Sequence, residues 1–465
     1  MKPRRAFLAS LGCAKNLVDS EVMLGRLAVE GWEITALPDD ADAVIVNTCS
    51  FIDPAKAEST DVILEYAARK RAGQRLIVAG CLAQRYGAQL RDLVPEIDAV
   101  VGTGAFPKLP EIVREIELGD RPLHLEDRDE YVERLGFLPR VVTTPRATAY
   151  LKISEGCNHT CAFCIIPALR GVGKSRTIAS LAEEARALVA AGARELVLVA
   201  QDSSDYGRDI GLRHGLAQLI EALDEIEHLR WTRILYLYPT SVTPELIAAM
   251  RRSRTVVPYV DMPLQHSAPE ILKAMRRPPQ PERYLELLAQ LRSALPGATI
   301  RSTFIIGFPG ESQTHFHSLL TFLERAQLDR VGFFEFSREE GTAAYDASHQ
   351  LTVREKRRRL AEAREVQRRI SDRIESKRTG ERLDVLVEGK RLLPPSSPLR
   401  RALGERNTAF GRSRREAPGV DGAVYVAGDH PIGEFVSAIT TGHTEFDRTA
   451  RPAPMINVTA ARSTP

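Results

Sequence analysis

Long apolar runs are missing from this sequence. No hydrophobic stretch approaches the ~20 residues that a membrane-spanning helix requires. The N-terminal segment MKPRRAFLASLGCAKN opens into polar sequence after a short apolar run, unlike a secretory leader. A soluble, cytoplasmic chain with no membrane partner is expected. Charge of one sign is missing too: 64 Lys and Arg stand against 61 Asp and Glu, a net charge of +3. Such a balance neither demands nor excludes a nucleic-acid partner. Internal repeats are absent. Cysteine is scarce, with six in 465 residues. That is too few for a disulfide scaffold, and a cytosolic chain would keep them reduced. What is present is ordinary globular material. Hydrophobic residues make up 43% and charged residues 27%, enough for two or three domains with their own cores.

The pattern along the chain changes character several times. Residues 1–118 alternate strand-like runs (Arg5–Ala9, Ala43–Asn47, Leu76–Gly80, Asp98–Val101) with helical patterns (Leu17–Val29, Ala55–Lys70, Leu109–Leu118). This predicts a doubly wound parallel α/β domain. Residues 119–148, with charges, prolines and Thr143-Thr144-Pro145-Arg146, read as a linker. A second alternation fills residues 149–350. Its strands are Ala149–Ser154, Glu195–Ala200, Arg233–Leu237, Pro258–Met262, Thr299–Ile306 and Arg330–Phe336, with helices such as Ile178–Ala191 and Pro281–Leu295 between them. Six such units predict a partial (β/α)6 barrel rather than a closed eight-fold one.

Residues 351–378 form a connecting helix. Val353, Leu360, Ala363, Val366, Ile370 and Ile374 line one side of it at helical spacing, apart from the first step. Thr352–Arg378 carries eleven Lys and Arg against five Asp and Glu. This is either a solvated face or a basic surface toward a ribosome or RNA. Residues 379–446 hold short β-like runs (Val385–Val387, Ala423–Val426, Phe435–Ile439) between glycines, predicting a small β-barrel with a projecting loop, Arg391–Arg406. Residues 447–465 read as a disordered tail.

The six cysteines fall into two triplets. Cys13, Cys49 and Cys81 are far apart, yet each follows an expected parallel strand. Strand C-termini of an open α/β sheet lie along one edge, where ligands bind, so three distant thiols can meet there. Gly12 and Gly80 allow close backbone approach. Three thiolates can hold a 4Fe–4S cluster and leave one iron open. Structural zinc would want a fourth protein ligand, and no further cysteine exists. Cys157, Cys161 and Cys164 give C-x3-C-x2-C in a loop after a strand. Such a loop can wrap three corners of a cubane. The competing readings are six unrelated buried thiols, or a zinc site recruiting His159. An ordinary loop role suits His159 better.

The C-x3-C-x2-C loop ahead of a partial barrel resembles the signature of the radical S-adenosylmethionine superfamily. More narrowly, the chain is similar to the methylthiotransferases. These place a three-cysteine domain before the radical domain (residues 149–350 here) and a TRAM barrel (379–446) after it. Within that family it resembles the ribosomal-protein aspartate methylthiotransferases. The supporting stretches are Gly12-Cys13-Ala14-Lys15-Asn16-Leu17-Val18-Asp19-Ser20-Glu21, Asn47-Thr48-Cys49-Ser50-Phe51-Ile52, Asp261-Met262-Pro263-Leu264-Gln265-His266, Gly411-Arg412-Ser413, Ala417-Pro418 and Asp421-Gly422. Thr160 and Ala162 stand where relatives often carry a basic residue and Ser. Phe336-Ser337 replaces a more usual Tyr-Ser.

The resemblance implies two 4Fe–4S clusters, one per triplet, and S-adenosyl-L-methionine. It implies cofactor contacts from Gln201 and Asp202 at the second strand of the radical domain and from Gly307 and Glu311 in Thr303-Phe304-Ile305-Ile306-Gly307-Phe308-Pro309-Gly310-Glu311. No side chain beyond the cluster ligands is assigned a catalytic role. One electron delivered at the Cys157/Cys161/Cys164 cluster would split S-adenosylmethionine. The 5′-deoxyadenosyl radical would take hydrogen from an aspartate β-carbon. Sulfur from the Cys13/Cys49/Cys81 cluster, methylated by a second S-adenosylmethionine, would join that carbon. The implied target is the twelfth small-subunit ribosomal protein, free or within its subunit, met by a monomeric enzyme with an external electron donor and sulfur source. Residues 380–446 hold nine Lys and Arg against nine Asp and Glu. That balance suits a protein target, with weak RNA contact through Arg400-Arg401 and Arg412-Arg414-Arg415. The alternatives are a tRNA adenosine methylthiotransferase and a noncatalytic, metal-stabilised ribosome-binding module.

Overall fold

A computed structural model describes residues 3–125, 138–404 and 407–454. The N-terminal sheet has six parallel strands in the order β2-β1-β3-β4-β5-β6. They are β1 (Arg5–Ser10), β2 (Glu33–Ile34), β3 (Ala43–Thr48), β4 (Arg75–Gly80), β5 (Ala99–Val101) and β6 (Leu123–His124). Every residue of β3 is buried, as a central strand covered on both faces requires. Helices α1 (Ala14–Val29) and α4 (Leu109–Glu117) pack on one face, α2 (Asp53–Ala68) and α3 (Cys81–Leu93) on the other.

β6 falls inside the expected linker 119–148. Its backbone pairs with β5, so the domain runs further than the composition suggested. Residues 126–137 of that linker lie outside the described residues. From Leu138 the chain lies along α1, where Val141 N donates to Glu21 O at 2.9 Å.

The central domain has two three-stranded parallel sheets, β11-β10-β7 and β12-β13-β14. Its strands are β7 (Thr148–Lys152), β10 (Glu195–Val199), β11 (Trp231–Ile234), β12 (Tyr259–Asp261), β13 (Thr299–Ile306) and β14 (Arg330–Glu335), with a short hairpin of β8 (Ser154–Glu155) and β9 (Lys174–Ser175). Leu237 N donates to Asp261 O at 2.8 Å across the gap between the sheets, giving the six-stranded partial barrel. Helices α5 (Ile166–Arg170), α6 (Ile178–Ala190), α7 (Gly215–Asp224), α8 (Pro244–Arg252), α9 (Pro269–Ala274), α10 (Pro281–Ala294) and α11 (Gln313–Ala326) join the strands. β11 ends before the expected Leu237 because Tyr236 turns left-handed, φ +63°. The inner face is closed from outside the domain as well. Val18 of α1 and Leu386 and Ala417 of the C-terminal barrel join Val197, Val199, Trp231 and Tyr259 in one cluster.

Helix α12 (Val353–Ser376) starts at Thr352, whose hydroxyl accepts from Glu355 N at 3.2 Å. Ala363, Val366 and Ile370 join the central core, while Val353 is exposed. The C-terminal strands β15 (Arg382–Leu392), β16 (Asn407–Arg412), β17 (Val424–Ala427), β18 (Phe435–His443) and β19 (Arg448–Pro452) close in the order β15-β16-β17-β19-β18. The expected boundary at 446 is therefore too early. β19 pairs with both β17 and β18, and without it the barrel would be open. Of the expected tail, residues 455–465 lie outside the described residues.

The loop Arg391–Arg406 folds back rather than simply projecting. α13 (Pro398–Leu403) buries Leu403 against Tyr425 and Ala427; Glu405 and Arg406 lie outside the described residues. Arg412 is also no surface cation. It is buried and pairs with Glu195 and Glu388, both at 2.6 Å. Arg401 and Arg414 remain exposed. Among the described residues no helix is long and apolar enough to cross a membrane.

Candidate active site

All six cysteines border one cavity of about 580 Å³ between the N-terminal and central domains. The first triplet is assembled by strand ends. Cys13 follows β1 and precedes α1, Cys49 follows β3, and Cys81 opens α3 directly after β4. At Gly12 (φ +86°) an added Cβ would lie 2.7 Å from Cys49 Cβ. At Gly80 (φ +93°) it would lie 2.3 Å from Asn47 Oδ1. Both positions exclude a side chain, and this is what lets the strand ends converge. Asn16 ties them together, donating from Nδ2 to Leu11 O at 2.8 Å and Thr48 O at 2.9 Å. Asn47 answers by donating to Asn16 O at 2.8 Å.

The second triplet lies on the loop after β8. Gly156 (φ +80°) brings the backbone against Val172 O, and Cys157 N donates to Gly171 O at 3.1 Å. Ala162 fixes the far side of the loop, donating to Met275 O at 3.0 Å and accepting from Ala344 N at 2.8 Å. His159 is engaged elsewhere. Its ring stacks on Tyr238 with centroids 3.7 Å apart, and Nε2 lies 2.7 Å from Asp202 Oδ2. These contacts hold the ring against the segments that follow β10 and β11.

Burial pushes the Cys81 and Cys157 thiols each up to about 11, and Cys164 up to about 12. Burial acts the same way on Cys13, but the Lys15 ammonium and Arg170 guanidinium outweigh it and lower that thiol. Binding a metal group would expel protons from the raised thiols. Among the described residues no three His, Cys, Asp or Glu side chains form a group that could hold a metal ion. The thiols border a roomy cavity instead, and sets of soft sulfur donors suit iron–sulfur chemistry.

Between the triplets runs a buried charged network that the sequence did not announce. Arg170, at the end of α5, donates to Asp19 at 3.1 Å, to both oxygens of Glu155 at 2.9 and 3.0 Å, and to Asn16 Oδ1 at 2.8 Å. Its charge also works against burial to lower the Cys81 thiol. Lys152 bridges Asp19 and Glu155. Burial opposes ionisation of Glu155, but Arg170 and Lys152 hold its carboxyl down at about 2. One guanidinium thus touches the helix that follows Cys13 and the strand leading into the second triplet.

Of the expected cofactor residues, Gln201 and Asp202 border the cavity. Gln201 donates to Glu155 Oε1 at 2.7 Å, and Asp202 caps Ser204 N at 2.9 Å besides meeting His159. Gly307 and Glu311 are not in the cavity wall. The Gly307 Cα faces Lys356 of α12. Glu311 is buried against Gly307 N at 2.8 Å, Arg359 at 2.6 Å and His266 at 3.4 Å. The backbone just after β13 thus packs closely on α12. The wall holds residues that motif reading did not assign: Tyr236, Gln265, Arg277, Arg301 and Val420. Tyr236 and Gln265 both have positive φ, +63° and +72°, a strain that gathers at functional sites.

Comparisons with known proteins follow the same division. Residues 5–102 match the family described as Uncharacterized protein family UPF0004, residues 151–323 the Radical SAM superfamily, and residues 379–452 the TRAM domain. The chain is 44% identical over 446 residues to "Ribosomal protein uS12 methylthiotransferase RimO" of Pelotomaculum thermopropionicum, covering 95% of this chain and 98% of that one. It is 45% identical over 452 residues to the protein of the same name from Desulforudis audaxviator, covering 96% of each. Among solved structures, the radical S-adenosylmethionine methyltransferase TsrM of Kitasatospora setae, with cobalamin and a 4Fe–4S cluster bound, superposes with a TM-score of 0.56 at 16% identity, covering 74% of this chain and 77% of that one. That likeness is one of fold. The extent and level of identity to the first group mean that the chain belongs to the RimO-type methylthiotransferases, radical S-adenosylmethionine enzymes with a C-terminal TRAM domain.

Proposed function

We propose that this enzyme transfers a methylthio group to the β-carbon of an aspartate in ribosomal protein uS12. Its relatives carry uS12 in their names. The observation that carries the reading is the single cavity bordered by both cysteine triplets. One reaction that needs a radical source and a sulfur source needs both to face the same carbon.

Cys13, Cys49 and Cys81 would hold one 4Fe–4S cluster and Cys157, Cys161 and Cys164 the other. When bound, these groups supply reductive opening of S-adenosylmethionine and the sulfur to be transferred. The chain's own contribution is geometric. Arg170 and Lys152 lock the two cysteine-bearing segments together through Asp19 and Glu155, so the span between the sources is set before substrate arrives. Gln201 and Asp202 present amide and carboxylate groups toward the cofactor side of the cavity. Ile52, Phe163, Leu169, Leu235, Leu237 and Phe334 give the cavity an apolar wall, which suits a radical that must be kept from water.

The test is the intact mass of uS12 from cells with and without the gene. A gain of one methylthio group on an aspartate supports the reading. An unchanged uS12, with methylthioadenosine lost from tRNA, would move the chain to the tRNA-modifying branch.

A further inference from the structure

Four Lys and Arg side chains border the cavity: Lys15, Arg170, Arg277 and Arg301. Two are matched by carboxylates, and a third, Arg277, by one carbonyl, its Nε being without a hydrogen-bond partner among the described residues. Arg170 faces Asp19 and Glu155. Arg301 donates to Asp261 at 2.8 Å. Arg277 donates to Pro263 O at 2.5 Å and stacks over Tyr238 at 4.0 Å. Lys15 differs. It is only 8% exposed, and its ammonium sits 3.5 Å from the centre of the Tyr236 ring. Among the described residues no carboxylate lies within ion-pair distance of it. A buried ammonium that meets Tyr236 and the Cys13 sulfur but no carboxylate has room for an anionic partner, because desolvating a charge is costly unless an opposite charge meets it. The missing anion must be something the cavity admits.

The position of Lys15 narrows the choice. It sits in the first turn of α1, two residues after Cys13, and crosses the domain seam to Tyr236. Tyr236 is itself pinned, with φ +63° and its N–H on Asp261 Oδ2 at 3.1 Å. The ammonium therefore stands at the space that separates the two triplets, where the reacting carbon must lie. In an aspartate the carboxylate is bonded directly to the β-carbon. A cation that grips this carboxylate orients the β C–H without touching it.

We propose that Lys15 recognises the carboxylate of the substrate aspartate and so sets the enzyme's preference for an acidic residue. The proposal rests on the aspartate reading above. The ammonium–carboxylate bond is charge-assisted and water-excluded, so it discriminates against the neutral amide. A neutral nucleobase could not satisfy it. The competing anion is the sulfur of Cys13 with whatever group that triplet holds, and the test separates the two.

Reconstituted enzyme is titrated, without reductant, into fluorescently labelled uS12 and into uS12 with asparagine at the modified position. Wild-type enzyme should bind the aspartate form at least about tenfold tighter. Lys15→Met should bind both forms alike, near the wild-type affinity for the amide form, with iron per chain unchanged. Lys15→Gln, with a polar neutral end, should do the same and guards against a packing effect of Met. Equal binding of the two forms by wild-type enzyme overturns the proposal, as does a Lys15 variant that keeps the preference. Iron lost from the Lys15 variants would assign the ammonium to the first triplet and also overturn it. Failure of the underlying reading looks different: wild-type enzyme under turnover conditions then leaves the mass of uS12 unchanged.

Discussion

Gly12 and Arg170 act on the same triplet in opposite ways, one by lacking a side chain and one by filling the seam with a charged one. At Gly12 the left-handed backbone and the 2.7 Å approach to Cys49 Cβ leave no room for a methyl group. Gly12→Ala should therefore displace Cys49 and empty the first triplet, while Cys157, Cys161 and Cys164 are untouched. Iron per chain should fall to about half, with three-thiolate binding surviving at one site; full iron in this variant would contradict the assignment. Arg170→Gln leaves Asp19 and Glu155 buried with Lys152 alone. Breaking a buried pair from one side costs about 3–5 kcal/mol, readable as a lowered thermal midpoint. Arg170→Lys should recover only part of this, since a point ammonium cannot reach Asn16, Asp19 and Glu155 together. Wild-type stability in either variant would remove the network from the account. The cysteines and Gly12 were legible because thiols and glycines have few other reasons to end a strand. Arg170 was not. It lies six residues after Cys164 in no motif, and its role exists only once the fold brings α1 against α5.

Among elements, those with a covered face were legible and those shaped by a neighbour were not. β3 is buried along its whole length, and its apolar run, residues 43–46, announced that for all but Asn47 and Thr48. The stripe of α12 predicted its packing except at Val353, which is exposed because the first turn projects past the core. β11 looked longer than it is, since nothing in Arg233–Leu237 shows that Tyr236 will turn left-handed to cover Lys15. β19 was missed because Arg448–Pro452 has no strand-like alternation; its pairing with β17 and β18 supplies the order. The approach of Gly307 to Lys356 was not legible, because a sequence does not say which neighbour a glycine makes room for. Helix α1 offers a test at this scale. A Cβ at Gly25 would lie 2.3 Å from Pro139 O, backbone that cannot rotate away. Gly25→Ala should push the segment from Leu138 off the helix at a cost of about 1–3 kcal/mol. Faster proteolytic cleavage near Pro139 should accompany a lower thermal midpoint; an unchanged digest would show that the segment is not held by this contact.

Across the whole molecule, the domains meet through buried carboxylates, each held by two cations of which at least one comes from another domain. Glu339 of the central domain takes Lys56 at 2.8 Å and Arg85 at 2.9 Å from the N-terminal domain. Glu195 of β10 takes Arg233 of its own domain at 2.8 Å and Arg412 of the small barrel at 2.6 Å. Glu375, at the end of α12, takes Arg448 of β19 at 2.6 Å and Arg330 of β14 at 3.2 Å. Burial alone would raise the Glu375 carboxyl, but Arg448, Arg330 and Arg378 outweigh it and hold it at about 2. Burial lowers Arg448 to about 10, so both partners stay charged across the neutral range. The ordinary glutamate value is ~4.3, so the folded value is depressed. The stabilisation is then complete above pH ~4.3 and lost as pH falls toward 2, amounting to about 3 kcal/mol. Trp231 reports on this docking, because its ring packs edge-on to Phe435 of β18 at 4.7 Å. The chain has two tryptophans, so Trp32→Phe leaves one signal. In that background, urea midpoints of Trp231 emission should be higher with Glu375 than with Glu375→Gln at pH 6, and the two should converge as pH drops from ~4.3 toward 2. Curves that stay parallel over that window would show that the barrel is held by its apolar contacts alone. Convergence would mean that the ionised carboxylate itself holds the small barrel against the domain that carries the cavity.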